Sequence, residues 1–379
     1  VFTKNREVTL YMISATFAGV MTTIGYVLIA ILALMFMVVI HELGHYLAGK
    51  LLGFKINEFG IGFGPAIFKK RNKKNGELFS IRILPLGGFC QFEDEDEASD
   101  SPTAFNNQPP WKRLIVLFSG AFFNFVSGLV IITLFFTFYG QLLPSVAAVY
   151  EDSANVAILK EGDVFLRVGG KQMNVLLADD VSNAFAKAGD EVKVVVLRDG
   201  KRVPLTIKKG DYTLGTYDEE GNFTPELDTN GNPKTKYGFG FTSALGPVKL
   251  NFFTAIGRSF SFMFYLVYKI IVILGMLITG KMGLENAGGP ITTISVISQA
   301  SRSGFAMLAY VVCLVSANLA VMNLLPIPAL DGSRMVFCII EWIRKKPINK
   351  KVEGIIHAVG FILILGFAIF ADIFQWINR

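Results

Sequence analysis

Residues 27–50 read VLIAILALMFMVVIHELGHYLAGK, an apolar run that closes on His41-Glu42-Leu43-Gly44-His45. No Asp, Glu, Lys or Arg occurs in 8–40, and about 20 apolar residues are enough to cross a bilayer as a helix. Ionisable groups at the end of such a helix are costly unless they face protein, water or a metal. On a helix, positions four apart share a face, so both imidazoles can reach one ion while Glu42 points to the adjacent face. There it can act as a general base toward water. Reading the histidines as an ordinary pair at a membrane edge would leave Glu42 an unpaired charge, so the HExxH spacing is read as a metal site.

The rest of the chain agrees with a membrane protein. Of its 379 residues, 52% are hydrophobic and 17% charged, against about 25% charged in soluble domains; mean hydropathy is +0.49. This excludes a disordered chain, a disulfide scaffold and an ordinary soluble enzyme. Cys90, Cys313 and Cys338 are scattered and imply no disulfide framework. The net charge of +6 does not indicate nucleic acid, because the basic residues cluster beside apolar runs.

Two more charge-free runs, 114–150 and 303–330, and a fourth, 354–371, complete a set of four spans near 20–48, 113–138, 305–326 and 354–377. Lys and Arg are concentrated in 49–113 and 331–353, which places both loops in the cytosol and the N-terminus outside. Residues 251–280 are also apolar, but Arg258 and Lys269 interrupt them. A fifth crossing there would carry Asp331 away from His41 and His45, so this segment is expected to lie along or dip into the outer interface.

The expected fold class is therefore a polytopic α-helical membrane protein with four transmembrane helices. It carries a cytosolic membrane-associated β-hairpin region and an extracytoplasmic β-rich domain. In chain order, 1–53 is the N-terminal segment and first span, 54–112 the hairpin region, 113–141 the second span and 142–245 the outer domain. An interfacial helix region, 246–302, precedes the third span, 303–335, and a cytosolic loop and fourth span fill 336–379. In the outer domain short strands at 164–168, 192–197 and 203–207 alternate with glycine-bearing turns, and 210–236 is a polar insertion, either a loop or an extended hairpin. In the hairpin region FGIGFG (59–64) and LFSIRI (78–83) read as strands. Their edge is either structural or able to pair with an extended peptide. The acidic run 93–97 reads as a solvated loop.

A catalytic zinc ion takes three protein ligands and keeps one position open. Asp331 closes the run NLLPIPALD (323–331) at the cytosolic end of the third span, the depth at which the first span ends. Pro326 and Pro328 stop the helix and free backbone groups, which a membrane tolerates only in a protein-lined cavity. Asp331 is thus the candidate third ligand; the alternative is an ordinary loop Asp, against which the matching depth counts.

HELGH in the first span, Gly120-x-x-x-Asn124 in the second, the outer β-domain and NLLPIPALDG in the third resemble the site-2 protease family, and within it the bacterial branch with a PDZ domain. The resemblance extends over about 22–377. It implies Zn2+ as cofactor, held by His41, His45 and Asp331, with Glu42 as the catalytic base. It also implies substrate binding by Asn323, which would hold an unwound substrate strand, and by Asn124 of the second-span motif. Ala121 stands where the family has proline, which leaves the local helix geometry open. Gly288-Gly289-Pro290-Ile291 resembles a further family motif and reads equally as a helix-breaking turn. The outer domain resembles PDZ, whether it binds peptide or only filters by size. His357, the lone titratable residue of 354–371, reads as a packed histidine outside the site.

The implied function is hydrolysis of peptide bonds in or near transmembrane segments, in regulated intramembrane proteolysis. The expected partners are single-span membrane protein substrates, of the anti-sigma factor or signal-peptide remnant type, and the lipid bilayer, with no nucleic acid. The expected location is the bacterial cytoplasmic membrane. A competing expectation is a catalytically silent PDZ-bearing scaffold, which the intact His41, Glu42, His45 and Asp331 argue against. A weaker one is a metal-dependent membrane enzyme acting on something other than peptide.

Overall fold

The computed structural model describes residues 2–95, 101–177, 179–217, 223–283 and 287–377, and their side chains except those of 2–18 and 86. Part of the acidic run (96–97) and of the insertion (218–222) therefore lies outside the described residues. The chain forms α1 (Phe2–Leu52), β1 (Ile56–Arg71), β2 (Leu78–Phe92), α2 (Pro110–Phe138), β3 (Gln141–Val149), β4 (Val164–Val168), β5 (Lys171–Gln172), α3 (Asp179–Ala186), β6 (Glu191–Arg198) and β7 (Lys201–Lys208). Then come β8 (Gly210–Thr213), β9 (Gly215–Tyr217), β10 (Phe223–Pro225), β11 (Thr235–Gly238), β12 (Phe241–Val248), α4 (Phe252–Ile278), α5 (Pro290–Arg302), α6 (Phe305–Leu324), α7 (Asp331–Arg344) and α8 (Lys350–Ile377). They fall into two compact units, one of Val1–Ile132 with Leu266–Arg379, the other Thr133–Tyr265.

Among the described residues, five helices are by length and composition able to cross a membrane: Gly19–Leu52 of α1, and α2, α4, α6 and α8. That is one more than the four expected, and the addition is α4, which occupies the 251–280 segment. α2 runs unbroken through Ala121, so the missing proline leaves a continuous helix there. α6 stops at Leu324 because Pro326 has no N–H to donate and forces the residue before it, Leu325, into an extended conformation (φ −69°, ψ 144°).

In the first unit, Ala30 and Met37 of α1 and Ile297 of α5 are fully buried, with Leu308, Val311 and Val315 of α6 packed on them. Polar contacts join α6 to α2: Ser316 Oγ donates to the Asn124 carbonyl (2.8 Å) and lies 2.9 Å from Ser127 Oγ. Small polar residues of this kind let apolar helices approach closely. α1 meets α2 so tightly that a Cβ at Gly44 would overlap the Ser119 backbone.

The two long strands β1 and β2 fold over themselves. Residues 66–71 pair with 78–82, while 56–61 lie between 78–81 and 88–92. The order across this small sheet is thus 66–71, 78–82, 56–61, 88–92, and 88–92 forms one outer edge. Both expected strands lie in it.

The second unit is built on a sheet of order β12-β3-β4-β6-β7, with β5 on β4. Leu143, Phe165, Val196 and Ile207 are fully buried in its core, with Phe185 of α3 against Phe165. Asp163 accepts two hydrogen bonds from Arg198, at 2.7 and 2.6 Å, tying the start of β4 to the end of β6. The insertion forms paired strands, β8 with β11 and β9 with β10, an extended hairpin rather than a bare loop.

Candidate metal centre

His41 and His45 lie one turn apart on α1, and Asp331 opens α7 after the proline-broken end of α6. Folding brings all three together. His41 Nε2 is 2.9 Å and His45 Nε2 3.3 Å from Asp331 Oδ2, and the two Nε2 atoms are 3.1 Å apart. Both histidines are buried and Asp331 nearly so. Tetrahedral zinc with bonds of about 2.0–2.2 Å separates its ligand atoms by about 3.3 Å, so one ion fits these three donors.

The atoms behind the ligands agree. His45 Nδ1 donates to the Val116 carbonyl (2.8 Å), which leaves Nε2 bare of hydrogen and able to bind metal. His41 Nδ1 faces two amides, Asn124 at 3.4 Å and Asn323 at 3.5 Å. As placed, both turn Nδ2 toward the ring, while Asn124 Oδ1 is buried and has no partner among the described residues. A His41 that binds metal through Nε2 carries its proton on Nδ1 and needs an acceptor there. Turning the Asn124 amide over provides one and satisfies the orphaned oxygen in the same step. The donor set therefore fits zinc.

Asn124 has no exposed surface and its amide lies against His41; Asn323 is half-buried beside the same ring. Gly120 lies against both imidazoles, and a Cβ there would overlap them. Here a glycine is needed for close approach.

Glu42 and His45 line a cavity of about 490 Å³, bounded by Phe89, Cys90, Arg334 and Asp331. The 88–92 edge of the hairpin passes beside it, and a Cβ on Gly88 would stand 3.4 Å from Glu42 Cγ. Burial, helped by the carboxylates of Glu42, Glu95 and Glu77, pushes the Cys90 thiol up, away from the reactive thiolate form.

Two titratable residues of α8 have structural roles that were not expected: His357 supports the segment before Asp331, and Asp372 docks α5. His357 Nδ1 accepts from the Ala329 N–H (3.0 Å), and a Cβ at Gly360 would overlap Pro328. Ala329 has φ +77°, a left-handed conformation costly for alanine, two residues before Asp331. Asp372 accepts from the N–H groups of Gly289, Ile291 and Thr292 and from the Thr292 hydroxyl, at 2.7–3.0 Å. It caps α5 from another helix, and a Cβ at Gly289 would strike it. The Gly288–Ile291 motif is thus a docked helix start. Their signal in the sequence was each being a titratable group in a long apolar run, where such groups are costly.

Two buried histidines on an apolar helix and an aspartate that opens α7, with a glutamate on the neighbouring face, form the donor set and base of a metallohydrolase in a membrane protein. The profile of Peptidase family M50 matches residues 29–367. A protein of Fusobacterium nucleatum is 32% identical over 353 residues, which cover 91% of this chain and 97% of that protein. One of Clostridium perfringens is 33% identical over 351 residues (92% and 97%), and one of Nostoc sp. 31% over 373 (91% and 94%). All three are named as zinc metalloproteases. The chain belongs to Peptidase family M50, the site-2 proteases: it is a zinc metallopeptidase and a multi-pass membrane protein. Between enzyme and silent scaffold, the comparisons favour the enzyme.

Proposed function

We propose that this chain hydrolyses peptide bonds in or near the transmembrane segments of single-span membrane proteins, with His41, His45 and Asp331 as zinc ligands. The observation that carries the reading is the meeting of these three residues beside Glu42 at the ends of apolar helices. Zinc, when bound, acts as a Lewis acid that polarises the scissile carbonyl and lowers the pKa of water. Glu42 removes the proton from the attacking water and returns it to the leaving amine. Asn124 orients His41, and Asn323 holds the substrate backbone. Since peptide bonds inside a helix are shielded by backbone hydrogen bonds, the substrate must be extended; the 88–92 edge beside Glu42 offers a strand to pair with.

The reading includes four crossings in the bacterial cytoplasmic membrane, with the basic loops in the cytosol and the PDZ-like second unit outside. Contacts at the ends of α5 support that count. Its start is capped by Asp372, toward the end of α8 remote from His357, and its last residue, Arg302, donates to Thr23 Oγ1 (3.0 Å), toward the end of α1 remote from His41. Both ends of α5 thus lie on the side away from the ligands, from which α6 runs back to Asp331. On this reading α4 begins and ends on that same side. The trimmed remnants left by earlier cleavage, anti-sigma factors or signal peptides, suit a protease whose outer unit filters by size.

The test is Glu42→Gln in the full-length chain, expressed in its native host. The variant should keep zinc near one per chain and accumulate uncut single-span partners. Cleavage surviving in it would sink the mechanism.

A further inference from the structure

In the sequence Arg258 stands out as a charge inside an apolar helix, and the second unit shows where that charge goes. Arg258 is only 7% exposed. Its Nε donates to Gln141 Oε1, and Nη2 to the Met173 carbonyl (2.8 Å). Neither partner is anionic, so the guanidinium is held in place but not neutralised. It borders a cavity of about 830 Å³ whose wall also carries Arg167 of β4, Arg202 of β7 and Lys249 from the turn before α4. No Asp or Glu lines this cavity, and among the described residues none of the four cations is paired with a carboxylate. Four like charges around one space repel one another, and an anion between them removes that repulsion.

The place of the cavity narrows the anion. α2, long and apolar enough to span, ends at Phe138, and β3 begins at Gln141, the residue that holds Arg258. Further inward, Phe136 of α2 meets Phe262 of α4 edge to face, with centroids 5.4 Å apart. Arg258 thus lies where apolar helix gives way to water-facing sheet, the level of lipid headgroups. Leu250 and Phe253 line the same cavity, and Phe253 is 83% exposed. Cationic heads beside exposed apolar surface match an amphiphile with a phosphate, and the arginine fork binds phosphate through two parallel hydrogen bonds.

We propose that this cavity binds the phosphate headgroup of an anionic glycerophospholipid, with Arg167, Arg202, Lys249 and Arg258 around the phosphate and Phe253 beside the acyl chains. Such a lipid anchors the second unit to the membrane surface at the start of α4. This goes beyond the proteolytic reading and does not depend on it.

The test uses the full chain in nanodiscs of equimolar phosphatidylglycerol and phosphatidylcholine, with native mass spectrometry of the lipid kept on extraction. The intact protein should retain phosphatidylglycerol preferentially. Arg167→Gln with Arg202→Gln, both at exposed positions, should lower that preference ~30-fold, at about one kcal/mol per arginine. Arg258→Gln should lower it as well; if that variant fails to fold, the exposed pair alone carries the test. Equal retention of the two lipids, or an unchanged preference in the double variant, would overturn the proposal. So would release of the lipid by inorganic phosphate, which marks a site for the free anion. Displacement by a peptide with a free C-terminal carboxylate, but not by its amide, would overturn it in favour of a peptide site.

Discussion

Asn124→Leu isolates the atom on which the zinc reading depends most finely. Leucine keeps the branched outline of asparagine at a position with no exposed surface but is bulkier, so the variant is first checked for folding; the acceptor for His41 Nδ1–H is lost. The other amide near that nitrogen, Asn323 at 3.5 Å, is half-buried and open to water, whereas the Asn124 oxygen is buried with no other partner among the described residues. Loss of such a partner typically weakens metal binding about 10–100-fold, or ~1.4–2.7 kcal/mol. The assay is a competition titration of zinc against a chelator on the purified protein. Asn124→Asp makes the comparison informative, because its carboxylate can only accept. If Asn124 acts as an acceptor for His41, the aspartate variant binds zinc at least as tightly as the parent and the leucine variant binds it more weakly. If Asn124 instead donates to a substrate backbone, both variants lose cleavage and neither loses zinc. Unchanged zinc affinity in folded Asn124→Leu would refute the reasoning about the amide.

Two further outcomes test the supports on α8. His357→Leu deprives the Ala329 N–H of its acceptor and should weaken zinc binding about tenfold. His357→Asn, whose Oδ1 takes the place of Nδ1, should restore it; equal affinities in all three proteins would reduce His357 to packing. Asp372→Ala strands three backbone N–H groups and the Thr292 hydroxyl at the start of α5, and should cost about 2 kcal/mol, read as a lower thermal midpoint in detergent. A midpoint equal to the parent's would mean that water caps α5 equally well.

Much of the site was legible because its signals are local. HELGH needs only helical periodicity to put two imidazoles on one face, and Pro326 and Pro328 announce a broken helix in any context. Long charge-free runs mark helices by length alone, yet length cannot say which of them cross. That is why 251–280 was the uncertain span, and why α4 meets the same length and composition criteria as the other four. Strands 59–64 and 78–83 were visible from their composition. Their folding over one another, which leaves 88–92 as an edge beside Glu42, depends on pairings that composition does not encode.

By itself, then, the sequence determined the long apolar helices, the face of α1 that carries both imidazoles and the residue types able to complete a metal site. Only the tertiary structure decided how the ligands are held and how α5 is docked. The Asn124 amide at His41, the Val116 carbonyl at His45, the His357 ring under Ala329 and the Asp372 cap on α5 each join residues at least 28 positions apart. The same is true of Arg258, an isolated charge in the sequence that the fold places against Gln141 at the rim of a basic cavity. A single polar group in an apolar helix shows that a partner must exist, since an unpartnered one is too costly there. Which partner it finds is fixed only when the helices pack.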